Sequence, residues 1–119
     1  MFMAEVLSES ADKKSIDVKV AFDITNNCNL RCLHCFNSSG ENDVISNELS
    51  DGEVLHFIED LASMNLYNVC FCGGETLLRK ELMCECIKIL KPSGSHCTAV
   101  TNGLLANPAT IQQLASAGL

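Results

Sequence analysis

Three cysteines stand at spacings of four and three residues in the run Cys28-Asn29-Leu30-Arg31-Cys32-Leu33-His34-Cys35. Thiolate sulfur is a soft ligand, suited to zinc or to iron–sulfur clusters. Three thiolates bind three irons of a cubane and leave the fourth iron an open position, the arrangement that catalytic metal sites use in general. The same trio could hold zinc, with His34 or a more distant cysteine as the fourth ligand. Spacing alone shows a three-thiolate site and leaves both readings open.

Two further segments carry groups that can meet a ligand. Gly73-Gly74-Glu75 offers glycines, which let backbone approach a partner closely, and a carboxylate, which can hold an ammonium group by charge-assisted hydrogen bonds. The plainer reading of Glu75 is a solvated loop carboxylate. Thr101-Asn102-Gly103 can be a ligand border or simply a turn.

These segments need elements to position them. Residues 16–24 alternate, with Ile16, Val18, Val20, Phe22 and Ile24 on one face and Asp17, Lys19, Ala21 and Asp23 on the other, which predicts a strand. Asp23 then points away from the apolar face, toward the lumen of a barrel or into solvent. The cysteine run lies in the loop that follows, and the loop continues through 38–47. Ser50 and Glu53 form a capping box for a helix carrying Val54, Leu55, Ile58, Leu61 and Ala62, with Asn65 at its end. A short apolar strand over 68–72 stops at Gly73-Gly74. Leu82, Met83, Cys86, Ile87 and Leu90 mark a second helix, ended by Pro92 and Gly94. A third strand over 96–100 stops at Asn102-Gly103. Asn107 caps a third helix, with Pro108 at its first position and Ile111, Leu114 and Ala115 inward.

Strand and helix thus alternate three times, which predicts parallel strands joined by right-handed crossovers. The expected fold class is α/β, the first three units of a partial (β/α) TIM-like barrel. The expected division is a flexible lead-in over 1–15 and, over 16–119, the first half of such a domain, with the sequence ending where a fourth strand would follow. All three motifs fall just after a strand, where parallel barrels gather their active-site residues.

The chain has 119 residues and eight cysteines. Residues 1–15 lack a basic segment followed by an apolar one, so a secretory signal is not expected and the expected location is cytoplasmic. In a reducing compartment, metal binding or free thiols explain the cysteines better than disulfides. Cys70 and Cys72 lie two apart on a predicted strand and share a face; they read as extra ligands, redox thiols or small buried hydrophobes. Cys84 and Cys86 are about 200° apart on a helix, with Cys86 assigned to the core and Cys84 to the surface. Cys97 reads as structural. A net charge of -7 argues against nucleic acid or an anionic membrane as partner.

The pattern CxxxCxxC after a first strand, with Asn29-Leu30-Arg31 inside it, resembles the radical S-adenosylmethionine (radical SAM) superfamily. Gly73-Gly74-Glu75 after the second strand and Thr101-Asn102-Gly103 after the third fall where that family has related motifs. The resemblance covers residues 18–119. It implies a full or partial (β/α) barrel, a 4Fe-4S cluster on Cys28, Cys32 and Cys35, and S-adenosylmethionine as cofactor. One electron from the cluster then breaks the sulfonium to methionine and a 5'-deoxyadenosyl radical, which removes a hydrogen atom from a substrate. It also implies that Gly73, Gly74 and Glu75 bind the amino group of the cofactor's methionine part, that His34 occupies a usually aromatic position near the adenine, and that Thr101 and Asn102 border the same pocket. The family often has Thr or Ser before Gly-Gly-Glu and Pro after it; here they are Cys72 and Thr76. The motif style is most similar to the branch that often carries a C-terminal SPASM domain with extra clusters and modifies peptides or proteins, for example by thioether cross-links. The lead-in is too short for the leader-binding domain of some relatives. An electron donor such as flavodoxin or ferredoxin is implied. The alternatives are a non-catalytic zinc or iron–sulfur module, and a small-molecule enzyme of the same superfamily such as one of a haem pathway.

Overall fold

The alternating residues form strand β1 (Ile16–Thr25), and the apolar run Val69-Cys70-Phe71-Cys72 forms the middle of β2 (Leu66–Gly73). A shorter third strand, β3, spans His96–Ala99. The computed structural model describes residues 16–35, 37–40 and 47–119. The lead-in expected over 1–15, and part of the loop expected over 38–47, lie outside the described residues.

The strands pair in parallel in the order β1-β2-β3. Phe22 stands beside Phe71 and Phe71 beside Ala99, while Asp23 stands beside Cys72 and Ala21 beside Cys70. Side chains alternate along each strand, so one face carries Phe22, Phe71 and Ala99 and the other carries Ala21, Asp23, Cys70, Cys72 and Thr98. The register slips between Ile16 and Lys19. Val18, expected on the apolar face, is 45% exposed, because such a slip breaks the two-residue period locally.

Helix α1 (Asp51–Ser63) begins with the predicted capping box: Glu53 N donates to Ser50 Oγ at 3.2 Å and Ser50 N donates to Glu53 Oε1 at 3.0 Å. A cap of this kind stabilises by about 1 kcal/mol. Asn65 follows the helix at φ 53°, a left-handed conformation that Asn tolerates better than most residues. Helix α2 (Lys80–Leu90) is preceded by a 3-10 turn, Thr76–Arg79, for which the apolar spacing gives no sign. Helix α3 (Pro108–Ala117) has Asn107 as its cap, Oδ1 accepting from Thr110 N at 2.9 Å.

Two helix-face expectations are corrected. On α3 the buried residues are Thr110 and Leu114, while Ile111 is 52% exposed and Ala115 is exposed. Lys80 Nζ donates to Thr110 Oγ1 at 3.2 Å, which holds Thr110 against α2 and turns Ile111 outward. On α2, Cys84 is buried with Cys86, because α3 packs beside it: Cys84 shares a groove with Gln113 and Ala117.

The helices cover one face of the sheet. Ile24, Val69, Phe71 and Cys97 meet Val54, Ile58, Met83, Ile87 and Leu90 in a single core. The opposite face, with Asp23, Cys70, Cys72 and Thr98, stays exposed or half-buried. A parallel sheet with helices on one side and a helix-free side opposite is the wall of a β/α barrel. Among the described residues, three strands and three α-helices make it a partial one.

Candidate functional site

The loop after β1 is held at its base by charge. Glu48 accepts from Thr25 Oγ1 at 2.6 Å and from the Asn26 N–H. Arg79 donates to Ile24 O at 2.8 Å and pairs with Asp51 and Glu48. Further out, Arg31 organises the cysteine run itself. Its Nη1 donates to Cys28 O at 2.9 Å and Leu30 O at 2.8 Å, and its Nη2 donates to Gly40 O at 2.9 Å. Gly40 N donates to Asn26 O at 2.6 Å and Ser39 Oγ to Asn26 Oδ1 at 3.0 Å, so the loop folds back on its own start.

Backbone donors reach the thiols. Leu30 N lies 3.5 Å from Cys28 Sγ and Ser39 N lies 3.4 Å from Cys35 Sγ. The Ser39 amide is the main reason the Cys35 thiol titrates below its ordinary value, since a donor to sulfur favours the thiolate. Thiolates are the form that binds metal. Cys32 is exposed and Cys28 and Cys35 are half-buried. Among the described residues no three His, Cys, Asp or Glu side chains meet at a single point.

The loop after β2 runs directly against that of β1. Gly74 N donates to Thr25 O and Glu75 N to Asn27 O, both at 2.9 Å. Gly73 sits at φ +131°, and a Cβ on either glycine would be driven into a carbonyl oxygen, that of Thr25 for Gly73 and that of Asn27 for Gly74. The close approach these glycines permit is therefore to the chain's own backbone. Glu75 is fully buried, not a solvated loop carboxylate. Its Oε1 accepts from Leu77 N at 2.9 Å and from Thr101 Oγ1 at 2.7 Å, and its Oε2 accepts from Asn102 N at 2.8 Å.

The loop after β3 joins both of the others. Thr101 and Asn102 also form side-chain turns, Gly103 N donating to Thr101 Oγ1 and Leu104 N to Asn102 Oδ1, each at 3.0 Å. Asn102 Nδ2 donates to Asn29 Oδ1 at 2.9 Å, inside the cysteine run. Thr76 Oγ1 donates to Val100 O at 2.9 Å, a bond that a proline at this position could not make.

The three loops enclose an open cavity of about 310 Å³, at the lower end of the range for small-molecule sites. Cys28, Cys32, His34, Cys35, Gly73, Gly74, Thr101 and Asn102 all line it. Glu75 does not; it lies behind the wall. Three soft thiols lining one cavity are the donor set that a cubane gripped at three corners takes. The residues present fit such a group.

The types of Asn29, Arg31, Glu48, Thr76 and Arg79 alone do not single them out in the sequence. Asn29 and Arg31 have a signal in their position within the cysteine run, and Thr76 in standing where the family often has proline. Cys70 and Cys72 lie outside the cavity on the helix-free face, their sulfurs 3.6 Å apart. Burial, the Cys70 thiol and the Asp23 charge push Cys72 up to about 11. Among the described residues no helix is long and apolar enough to cross a membrane.

Similarity to known proteins agrees with this geometry. The sequence pattern of the Radical SAM superfamily matches residues 22–119. The Fe-coproporphyrin III synthase of Methanosarcina barkeri is 34% identical over 116 residues, 98% of this chain and 28% of that protein. The PqqA peptide cyclase of Bradyrhizobium diazoefficiens is 32% identical over 117 residues, 98% of this chain and 30% of that protein. The mycofactocin maturase MftC of Mycobacterium ulcerans is 31% identical over 100 residues, 82% of this chain and 26% of that protein. The chain thus spans less than a third of the length of these curated relatives. The chain belongs to the radical SAM superfamily.

Proposed function

We propose that the protein is a radical SAM enzyme that modifies a peptide or protein. The observation that carries the enzymatic reading is the shared cavity, on which twelve residues from the loops after three successive strands converge. In this reading Cys28, Cys32 and Cys35 hold a 4Fe-4S cluster. Gly73 and Gly74 border the methionine end of S-adenosylmethionine, with Glu75 behind them, and His34, Thr101 and Asn102 border the rest of it. When bound, the cluster and cofactor supply an electron and a 5'-deoxyadenosyl radical for hydrogen abstraction. The chain's own part is to bind and orient. Arg31 fixes the carbonyls around Cys28, amides of Leu30 and Ser39 steady the sulfurs, and the Gly74-Glu75 backbone ties the second loop to the first through Thr25 O and Asn27 O.

The peptide class rests on a relative whose name states it, the PqqA peptide cyclase. A second reading, a haem-pathway small-molecule enzyme, has its own support in the Fe-coproporphyrin III synthase and the AdoMet-dependent heme synthase of Methanosarcina barkeri. An electron donor such as flavodoxin or ferredoxin belongs to either. Anaerobic turnover of the whole protein separates them. Formation of 5'-deoxyadenosine, stimulated by a candidate peptide and not by iron coproporphyrin, supports the peptide reading. Stimulation by the porphyrin alone overturns it, and zinc in place of iron overturns both.

A further inference from the structure

We infer that the Glu75 carboxylate is a positioning residue, the tie that fixes the second and third loops against each other, and that it does not itself pair with the cofactor's ammonium group. This deepens the cofactor assignment above and rests on it.

Three observations carry the inference. Glu75 is fully buried and absent from the cavity lining, although Gly73, Gly74, Thr101 and Asn102 on either side all line it. Its carboxylate already accepts three hydrogen bonds within the protein, from Leu77 N, Thr101 Oγ1 and Asn102 N. Both oxygens are engaged, one of them twice. The partners also have a direction. Leu77 N lies in the 3-10 turn of the second loop, whereas Thr101 and Asn102 belong to the third, twenty-six and twenty-seven residues after Glu75. Thr76 repeats the tie one residue on, through Val100 O.

The consequence is chemical. An ammonium group reaching this carboxylate would have to pass the cavity wall and displace a donor, leaving a buried N–H or O–H without a partner. The carboxylate instead holds the wall in place. Recognition of the ammonium group falls to groups on the cavity side of that wall, with Glu75 acting through them. Glutamine cannot replace it, because its NH₂ would be turned toward a donor that the carboxylate accepts.

The test uses the whole, cluster-loaded protein and two probes, S-adenosylmethionine and its analogue with hydrogen in place of the α-amino group. In Glu75→Gln both dissociation constants rise together, by about tenfold, the scale of a lost hydrogen bond to a charged group. Their ratio stays at the wild-type value. Amide hydrogen exchange at residues 75–78 and 101–104 speeds up in the cofactor-free protein. Thr101→Val, which removes one donor and keeps the shape, gives the same pattern and stands in where Glu75→Gln fails to fold; Thr101→Ser restores wild-type behaviour. Loss of affinity for S-adenosylmethionine alone, so that the two probes become equal, with exchange unchanged, overturns the inference. Wild-type protein that binds neither probe overturns the cofactor reading instead, and the exchange measurement still reports on the tie.

Discussion

Asn102 Nδ2 donates to Asn29 Oδ1 at 2.9 Å, across seventy-three residues of sequence. The bond ties the loop after β3 to the cysteine run after β1. Both side chains belong to exposed residues, so little stability depends on the bond, and its effect is on the relative placement of the two loops. Asn29→Ala lowers unfolding free energy by less than about 1 kcal/mol while weakening S-adenosylmethionine binding about fivefold. Asn29→Asp keeps the accepting oxygen and restores most of the affinity. Equilibrium dialysis of cluster-loaded protein, beside thermal melts, measures both.

Arg31 supports the cysteine run through three carbonyls at once. Lysine keeps the charge but lacks the planar fork. Arg31→Lys therefore retains the fold by circular dichroism and loses cluster, with bound iron and acid-labile sulfide falling by half or more after anaerobic reconstitution. Full iron content in this variant contradicts the role.

Two glycines give opposite outcomes for one substitution. A methyl on Gly74 is driven into Asn27 O, a backbone atom that cannot swing aside. Gly74→Ala costs more than about 2 kcal/mol, or separates the first and second loops. Gly52, in the first turn of α1, meets nothing within 4 Å. Gly52→Ala stabilises by about 0.5 kcal/mol. Urea unfolding of both variants reads the difference.

Burial pushes the Cys86 thiol up to about 12, from an ordinary value of 9.0. In the unfolded chain it ionises near the ordinary value, so between pH 9 and 12 the folded state binds more protons. The stability this group contributes is complete below that window and is lost as pH rises through it, at up to about 1.4 kcal/mol per unit. Cys86→Ala is less stable at pH 7, where its packing is missed, and shows a shallower alkaline decline. Urea midpoints from pH 8 to 11 test this.

What was legible in the sequence was local. The Ser50–Glu53 box and the Asn107-Pro108 start each need only neighbours within a turn, and both formed as read. The first strand follows from alternation, the second from an apolar run stopped by glycines, and the barrel wall from the order of strands and helices. Features set by packing at a distance were not legible. The helix of Cys84 alone points it to the surface and gives no hint that α3 covers it. The spacing of α3 points Ile111 inward, because nothing local shows the claim of Lys80 on Thr110. The type of Glu75 suits a ligand, and its burial depends on Thr101 and Asn102 returning across it from the next unit. Val18 lost its face to a register slip that alternation cannot encode.

The most direct measurement is the electron paramagnetic resonance spectrum of the whole protein, purified without oxygen and reduced, before and after adding S-adenosylmethionine. The account predicts a 4Fe-4S signal that shifts on addition and vanishes when Cys28, Cys32 and Cys35 are changed to alanine. A protein that carries zinc there, or a cluster whose spectrum ignores the cofactor, contradicts it.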